Sequence, residues 1–240
     1  MSYLPTEKNT LPARDPNAEI HDLWPTPVLA RTNEQHASIK QGLLDLFYAH
    51  RDEHSKTTGP VYSSRDNLYE IYKDHPAFAA LTRFILDSVF QVAAHANGKA
   101  WQNSQKINVR LTGVWFQISN ASGLHETHVH GNCSWSGVYY VQAGDCSRSS
   151  DDRKNGLLNG ITRFYGPYMD FYAGGHVEVG NLYLQSASWD SFPEDGKIAV
   201  FPSYLKHMAF PYSGEQDRVI VSFHAQVEGE GDLQYRYQFD

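Results

Sequence analysis

The sequence predicts a mainly β fold with flanking helices, a double-stranded β-helix of the jelly-roll, cupin-like kind. Two observations carry that expectation. From Lys106 to near the C-terminus apolar residues alternate with polar ones, the period of half-buried strands, whereas two stretches before Lys106 repeat at helical spacing. The chain is also rich in aromatic residues, with 12 Phe, 15 Tyr and 5 Trp, which favour strands and a well-filled interior. A length of 240 residues suits one domain, residues 18–240, behind a flexible arm of residues 1–17. No repeat at a period of about 20 to 50 residues is visible, which speaks against solenoids and propellers.

The elements follow in chain order. Met1 to Pro16 is polar and contains three prolines. Leu23-Trp-Pro-Thr-Pro-Val-Leu-Ala30 suits an edge strand or an extended lead-in, because its prolines cannot donate to a ladder. Asn33 is a candidate N-cap for a helix near residues 34–51, where Ile39, Leu43, Leu44 and Phe47 recur at helical spacing. Asp52 to Asp66 reads as a loop with room for a short strand around Val61 and Tyr62.

Pro76 suits the first turn of a second helix near residues 77–96. Phe78, Leu81, Phe84, Ile85, Val89 and Phe90 form its apolar face before Asn97-Gly98 ends it. Ile107, Val109 and Leu111, then Val114, Phe116 and Ile118, alternate as strand residues, and Trp135 to Gln142 follows. Ala143 to Asn159 is a polar surface excursion that could cover a site. Ile161 to Tyr165, Asn181 to Gln185, Gly196 to Pro202 and Arg218 to Val227 read as further strands, with Gly166 to Gly175 aromatic and irregular.

A net charge of −7 and a pI near 5.9 argue against nucleic-acid binding, which needs clustered Lys and Arg to displace counterions. The N-terminus lacks the basic and apolar regions of a signal peptide, and no apolar run approaches the roughly 20 residues that span a bilayer. Cys133 and Cys146 are expected to be reduced thiols, and the cytoplasm is the expected compartment.

The densest chemistry lies between Leu124 and Val141, where His125, Glu126, His128 and His130 cluster. On a regular strand Glu126, His128 and His130 point one way and His125 the other. Two imidazoles at His-x-His spacing can grip a divalent metal through neutral nitrogens, and a third ligand must come from elsewhere. His207, delivered by a strand through Pro202 into a turn, is the best distant candidate. Eleven residues later Arg218 shares a strand face with Ile220 and Ser222. A guanidinium binds a carboxylate bidentately and a serine hydroxyl adds a donor, so this face suits a dicarboxylic cosubstrate. The competing reading pairs Arg218 with Asp217 or Glu215 at the surface. His224 continues the face as a core or pocket-lining residue.

Several motifs together make the chain resemble a known family. They are Leu23-Trp-Pro-Thr-Pro-Val28, His128-Val-His130 followed by Ser136-Gly-Val-Tyr-Tyr-Val141, and Phe201-Pro-Ser-Tyr-Leu-Lys-His207 with Pro211, Gly214 and Arg218-Val-Ile-Val-Ser-Phe223. In this order the chain resembles the Fe(II)- and 2-oxoglutarate-dependent oxygenases, more narrowly a bacterial and phage branch of them, over most of residues 20–227.

The resemblance implies iron held by His128, His130 and His207, and 2-oxoglutarate held at its far carboxylate by Arg218, with the hydroxyls of Ser222 and Tyr140 beside it. It implies a dioxygenase that hydroxylates a small molecule or a protein side chain and releases succinate and CO₂. Neither a nucleic acid nor a membrane is expected as partner, and a homodimer is compatible with the sequence.

One position departs from the wider superfamily, which usually writes its first motif as His-x-Asp or His-x-Glu. Here His130 stands at the carboxylate's position, and Glu126 is the alternative or additional ligand. Two rival readings remain at this level: a three-histidine cupin-type dioxygenase working without 2-oxoglutarate, and a noncatalytic jelly-roll binding module stabilised by a metal.

Overall fold

A computed structural model describes residues 26–55, 59–98, 101, 106–146, 158–166 and 188–230. The expected arm, the middle of the Ala143–Asn159 excursion with its covering role, the Gly166–Gly175 stretch beyond Gly166 and the Asn181–Gln185 strand lie outside the described residues. In chain order the elements are β1 (Leu29–Thr32), α1 (His36–His54), β2 (Val61–Ser63), α2 (Leu68–Tyr72), α3 (Pro76–Asn97), β3 (Lys106–Ser119), β4 (Gly123–His128), β5 (Trp135–Gln142), β6 (Thr162–Tyr165), β7 (Ser188–Ser191), β8 (Lys197–Pro202), β9 (His207–Tyr212) and β10 (Arg218–Glu230).

The strands form two antiparallel sheets, a six-stranded one in the order β1-β8-β5-β10-β3-β2 and a four-stranded one in the order β4-β9-β6-β7. Consecutive strands β3, β4 and β5 alternate between the sheets, as do β7 to β10, which is the winding of a jelly roll. The fold class expected from the sequence is the one observed.

The six-stranded sheet is buried on both faces, and this explains why β5 is buried from Trp135 through Val141 instead of alternating. On its outer face Phe116, Tyr139, Val141, Val219, Val221 and Phe223 pack with Leu43 and Phe47 of α1 and Phe78, Leu81, Ile85 and Val89 of α3. On its inner face Val138, Tyr140, Ala199 and Ile220 form a separate small cluster. Gly137 is required by close packing: a Cβ there would meet the Phe223 ring and stand 2.7 Å from the Ala199 carbonyl oxygen.

Three local expectations change. Asn33 does not cap a helix beginning at Glu34; its side-chain oxygen accepts the Gln35 N–H at 3.0 Å, and α1 starts at His36. The short α2 and the strand β9 are elements that periodicity did not announce, being five and six residues long. By length and composition α3 could cross a bilayer, contrary to the sequence expectation. In the fold its apolar side chains Phe78, Leu81, Ile85 and Val89 are core residues.

Candidate metal centre

Between the two sheets lies a cavity lined by His125, His128, His130 and His207 on one side and by Trp115, Gln117, Val138, Arg218, Ile220 and Ser222 on the other. Its histidines come from two neighbouring strands and the turn after one of them. His128 ends β4 opposite His207 at the start of β9. His130 lies just past β4, where its backbone N–H donates to the Ser203 carbonyl at 2.9 Å. One ring nitrogen from each of His128, His130 and His207 lies within 4.8 Å of the others.

Local hydrogen bonds orient two of these rings. His128 Nδ1 lies 2.6 Å from the Glu126 carbonyl oxygen and His207 Nδ1 2.9 Å from that of Leu205. A carbonyl only accepts, so both Nδ1 atoms carry the proton and both Nε2 atoms keep a lone pair. The His130 and His207 Nε2 atoms are 3.3 Å apart. Burial first, and then the imidazoles of His207, His224 and His128, push the His130 pKa down to about 3. Burial lowers His207 to about 4 in spite of the Leu205 hydrogen bond. At neutral pH both rings are uncharged, the form in which an imidazole ligates a metal.

The face expected for β4 is corrected by its geometry. Its pairing with β9 shifts register between Gly123 and His125 and again between His125 and His128, so simple alternation fails. His125 therefore turns inward, its Nε2 2.9 Å from Gln117 Nε2, with its ring 6.4 Å from that of His128. Glu126 turns outward and is exposed. Among the described residues only the three histidines form a metal-sized group, and Glu126 is not part of it.

Across the cavity Arg218 is buried, which removes the reading of a surface ion pair with Asp217 or Glu215. Among the described residues its Nε has no hydrogen-bond partner, and its guanidinium carbon sits 5.4 Å from the centre of the Tyr140 ring. Asp217 is engaged instead by Tyr48 at 3.1 Å and Asn120 at 3.0 Å. Ser222 faces the cavity with Ile220 and Arg218, as strand alternation requires. Tyr140 is fully buried, and its hydroxyl lies 2.9 Å from Thr162 Oγ1, which itself lines the cavity.

Gln117, Thr162 and the inward His125 are cavity residues that sequence reasoning missed. Gln117 was within reach, because alternation along β3 puts it on the face of Trp115 and opposite Val114, Phe116 and Ile118. His224 is not simply a core or cavity-lining residue: its Nε2 is 3.0 Å from His130 Nδ1.

Residues 113–224 match the model of a protein family described as "Putative 2OG-Fe(II) oxygenase", a span that contains His128, His130, His207 and Arg218. No curated protein matches the sequence. Among solved structures, HygX from Streptomyces hygroscopicus, with nickel and 2-oxoglutarate bound, is 13% identical over 84% of this chain and 82% of its own, with a TM-score of 0.51. The non-heme α-ketoglutarate-dependent epimerase SnoN from nogalamycin biosynthesis is 12% identical over 83% of this chain and 77% of its own, also with a TM-score of 0.51. At such identities the likeness is one of fold. The chain resembles the Fe(II)- and 2-oxoglutarate-dependent oxygenases in sequence over residues 113–224 and in its jelly-roll architecture.

Proposed function

We propose that this protein is a nonheme Fe(II)- and 2-oxoglutarate-dependent dioxygenase whose iron is held by His128, His130 and His207 and whose 2-oxoglutarate is held by Arg218. One observation carries this reading. The three-histidine cluster and a buried guanidinium whose Nε has no partner among the described residues line the same cavity, so a metal site and a carboxylate site face each other.

The donor set fits the cofactors. Imidazole nitrogens suit iron, and two of the three rings already have Nδ1 tied back and Nε2 free. Among the described residues no carboxylate pairs with Arg218, and leaving a guanidinium buried without an anion is costly; a bound dicarboxylate would supply that anion. Ser222 adds a hydroxyl, and the Tyr140–Thr162 hydrogen bond anchors the wall beside Arg218. Trp115, Val138, Phe201 and Ile220 keep water from the centre.

When bound, iron and 2-oxoglutarate supply the oxidising chemistry: O₂ is consumed, 2-oxoglutarate yields succinate and CO₂, and the second oxygen atom goes to the substrate. The net charge of −7 favours a small molecule or a protein side chain as substrate over a nucleic acid. A cupin-type reading without 2-oxoglutarate would leave the buried Arg218 with no role.

The deciding measurement is O₂-dependent conversion of 2-oxoglutarate to succinate with Fe(II), in the wild type and in Arg218→Ala. The wild type should bind and turn over 2-oxoglutarate, and the variant should lose both. Absence of 2-oxoglutarate binding and of turnover in the wild type across a broad substrate panel would overturn the proposal.

A further inference from the structure

The three-histidine set has a deficit that the cavity itself does not repair. Neutral imidazoles bring no negative charge to a divalent cation, and the one acidic residue beside them in sequence, Glu126, points to solvent. His130 also differs from its two companions. Their Nδ1 atoms are tied to backbone carbonyls, whereas His130 Nδ1 meets another imidazole, Nε2 of His224, at 3.0 Å.

The direction of that hydrogen bond follows from what His130 must do. An imidazole that gives its Nε2 lone pair to a metal carries its proton on Nδ1. His130 Nδ1–H then donates to His224 Nε2, which must be unprotonated. A neutral His224 in turn carries its proton on Nδ1.

On the β3 side of His224 lie Gly113 and the side chain of Asp66. His224 pairs in register with Gly113 on β3. Because Gly113 has no side chain, a space is left on that face. A Cβ there would stand 3.6 Å from both His224 Nδ1 and Asp66 Oδ2. Asp66 is held in place by its own backbone, whose carbonyl accepts the Val114 N–H at 2.7 Å. Trp115 packs edge-on against His224 at 4.7 Å between ring centres, and its ring is 6.2 Å from that of His130, so both imidazole planes are confined.

We infer that His224 is a positioning residue for the metal centre: it fixes the ring and tautomer of His130. The inference rests on the proposed ligation by His130. Its general warrant is that a ligating histidine whose other ring N–H is held by a hydrogen-bond acceptor is better oriented and more basic. Here that acceptor is a second imidazole. Its recruitment depends on a histidine 94 positions from His130 and on a glycine opposite it.

The test uses Co(II) alone as probe on the full chain. His224→Leu, which keeps bulk and removes the acceptor, should weaken Co(II) binding about 10- to 100-fold and alter the visible absorption of the bound ion. His224→Gln, whose amide oxygen can accept the same proton, should recover most of the affinity.

A direct readout needs no variant. In the Zn(II)-loaded wild type, long-range ¹H–¹⁵N correlations should show His224 protonated on Nδ1 and not on Nε2. Wild-type Co(II) affinity and spectrum in His224→Leu, or a proton on His224 Nε2 in the loaded wild type, would overturn the inference. Failure of the underlying ligand assignment has a different signature: His130→Ala would itself bind Co(II) as the wild type does.

Discussion

His128 and His207 stand opposite each other in the pairing of β4 with β9, their ring centres 4.3 Å apart and each Nδ1 bonded to a carbonyl two residues earlier in its own chain. The two rings are therefore presented the same way by two antiparallel strands, and both Nε2 atoms are left for the cavity.

That pairing makes metal binding a matter of a few atoms. A metal bound to the native state at about 100 times its dissociation constant adds about 2.7 kcal/mol to stability. His207→Ala should remove the rise in Tm that Co(II) produces in the wild type, while the metal-free proteins differ far less. Calorimetry of both proteins with and without Co(II) measures it; an undiminished Co(II) effect in the variant would show that His207 is not a ligand.

Arg218 should behave as a functional group that the fold tolerates at a cost. Replacing a buried charge by an apolar residue of similar volume is commonly neutral or stabilising by about 1 to 4 kcal/mol. Metal-free Arg218→Met is thus expected to unfold at the same or a higher denaturant concentration than wild type. Its 2-oxoglutarate affinity should fall by roughly 2 kcal/mol or more. A marked loss of stability would indicate that Arg218 is structural.

The depressed pKa values of His130 and His207, about 3 and about 4 against an ordinary 6.5, set a pH dependence for the metal-free protein. Between those values and pH 6.5 the unfolded chain binds more protons than the folded one, so stability rises with pH across that window. It should be full above about pH 6.5, fall as the pH drops below it, and level off near the folded values. Urea midpoints at pH 7 and pH 5 compare the two ends, and an equal or higher midpoint at pH 5 contradicts the burial of these rings as neutral groups.

Gly137 sits where β5 is squeezed between Phe223 of β10 and the carbonyl of Ala199 of β8. Gly137→Ala should destabilise the fold by about 1 to 3 kcal/mol through overpacking, even though alanine is otherwise favourable in place of glycine. A variant as stable as the wild type in urea would mean that the ring of Phe223 moves aside freely.

Tyr139 tests the same face of the strand two residues on. Its hydroxyl lies 2.8 Å from His36 Nδ1 and 3.4 Å from Asn33 Nδ2, and both partners are buried. Tyr139→Phe leaves these groups without a partner and should cost about 1 to 3 kcal/mol, with little effect on metal or 2-oxoglutarate binding. Loss of ligand binding at unchanged stability would place its role elsewhere.

Much of the architecture is written locally. The alternation in β3 and β10, the helical period of α1 and α3 and the punctuation by Pro76 are features a chain carries without reference to distant residues. The spacing of His128, His130, His207 and Arg218 likewise marked the residues that line the cavity. Local pattern failed where pairing broke the pattern. The register shifts of β4 turned His125 inward and Glu126 outward, the reverse of strand alternation.

By itself the sequence determined the fold class and the residue types available for a metal and a carboxylate, because periodicity and motif spacing are local properties. Only the tertiary structure decided which side chains meet. The pairing of His130 with His224, the approach of Asp66 to Gly113 and the burial of Arg218 all depend on strands far apart in the chain being brought together. Bulges and register are settled by packing between sheets, which no short stretch of sequence contains.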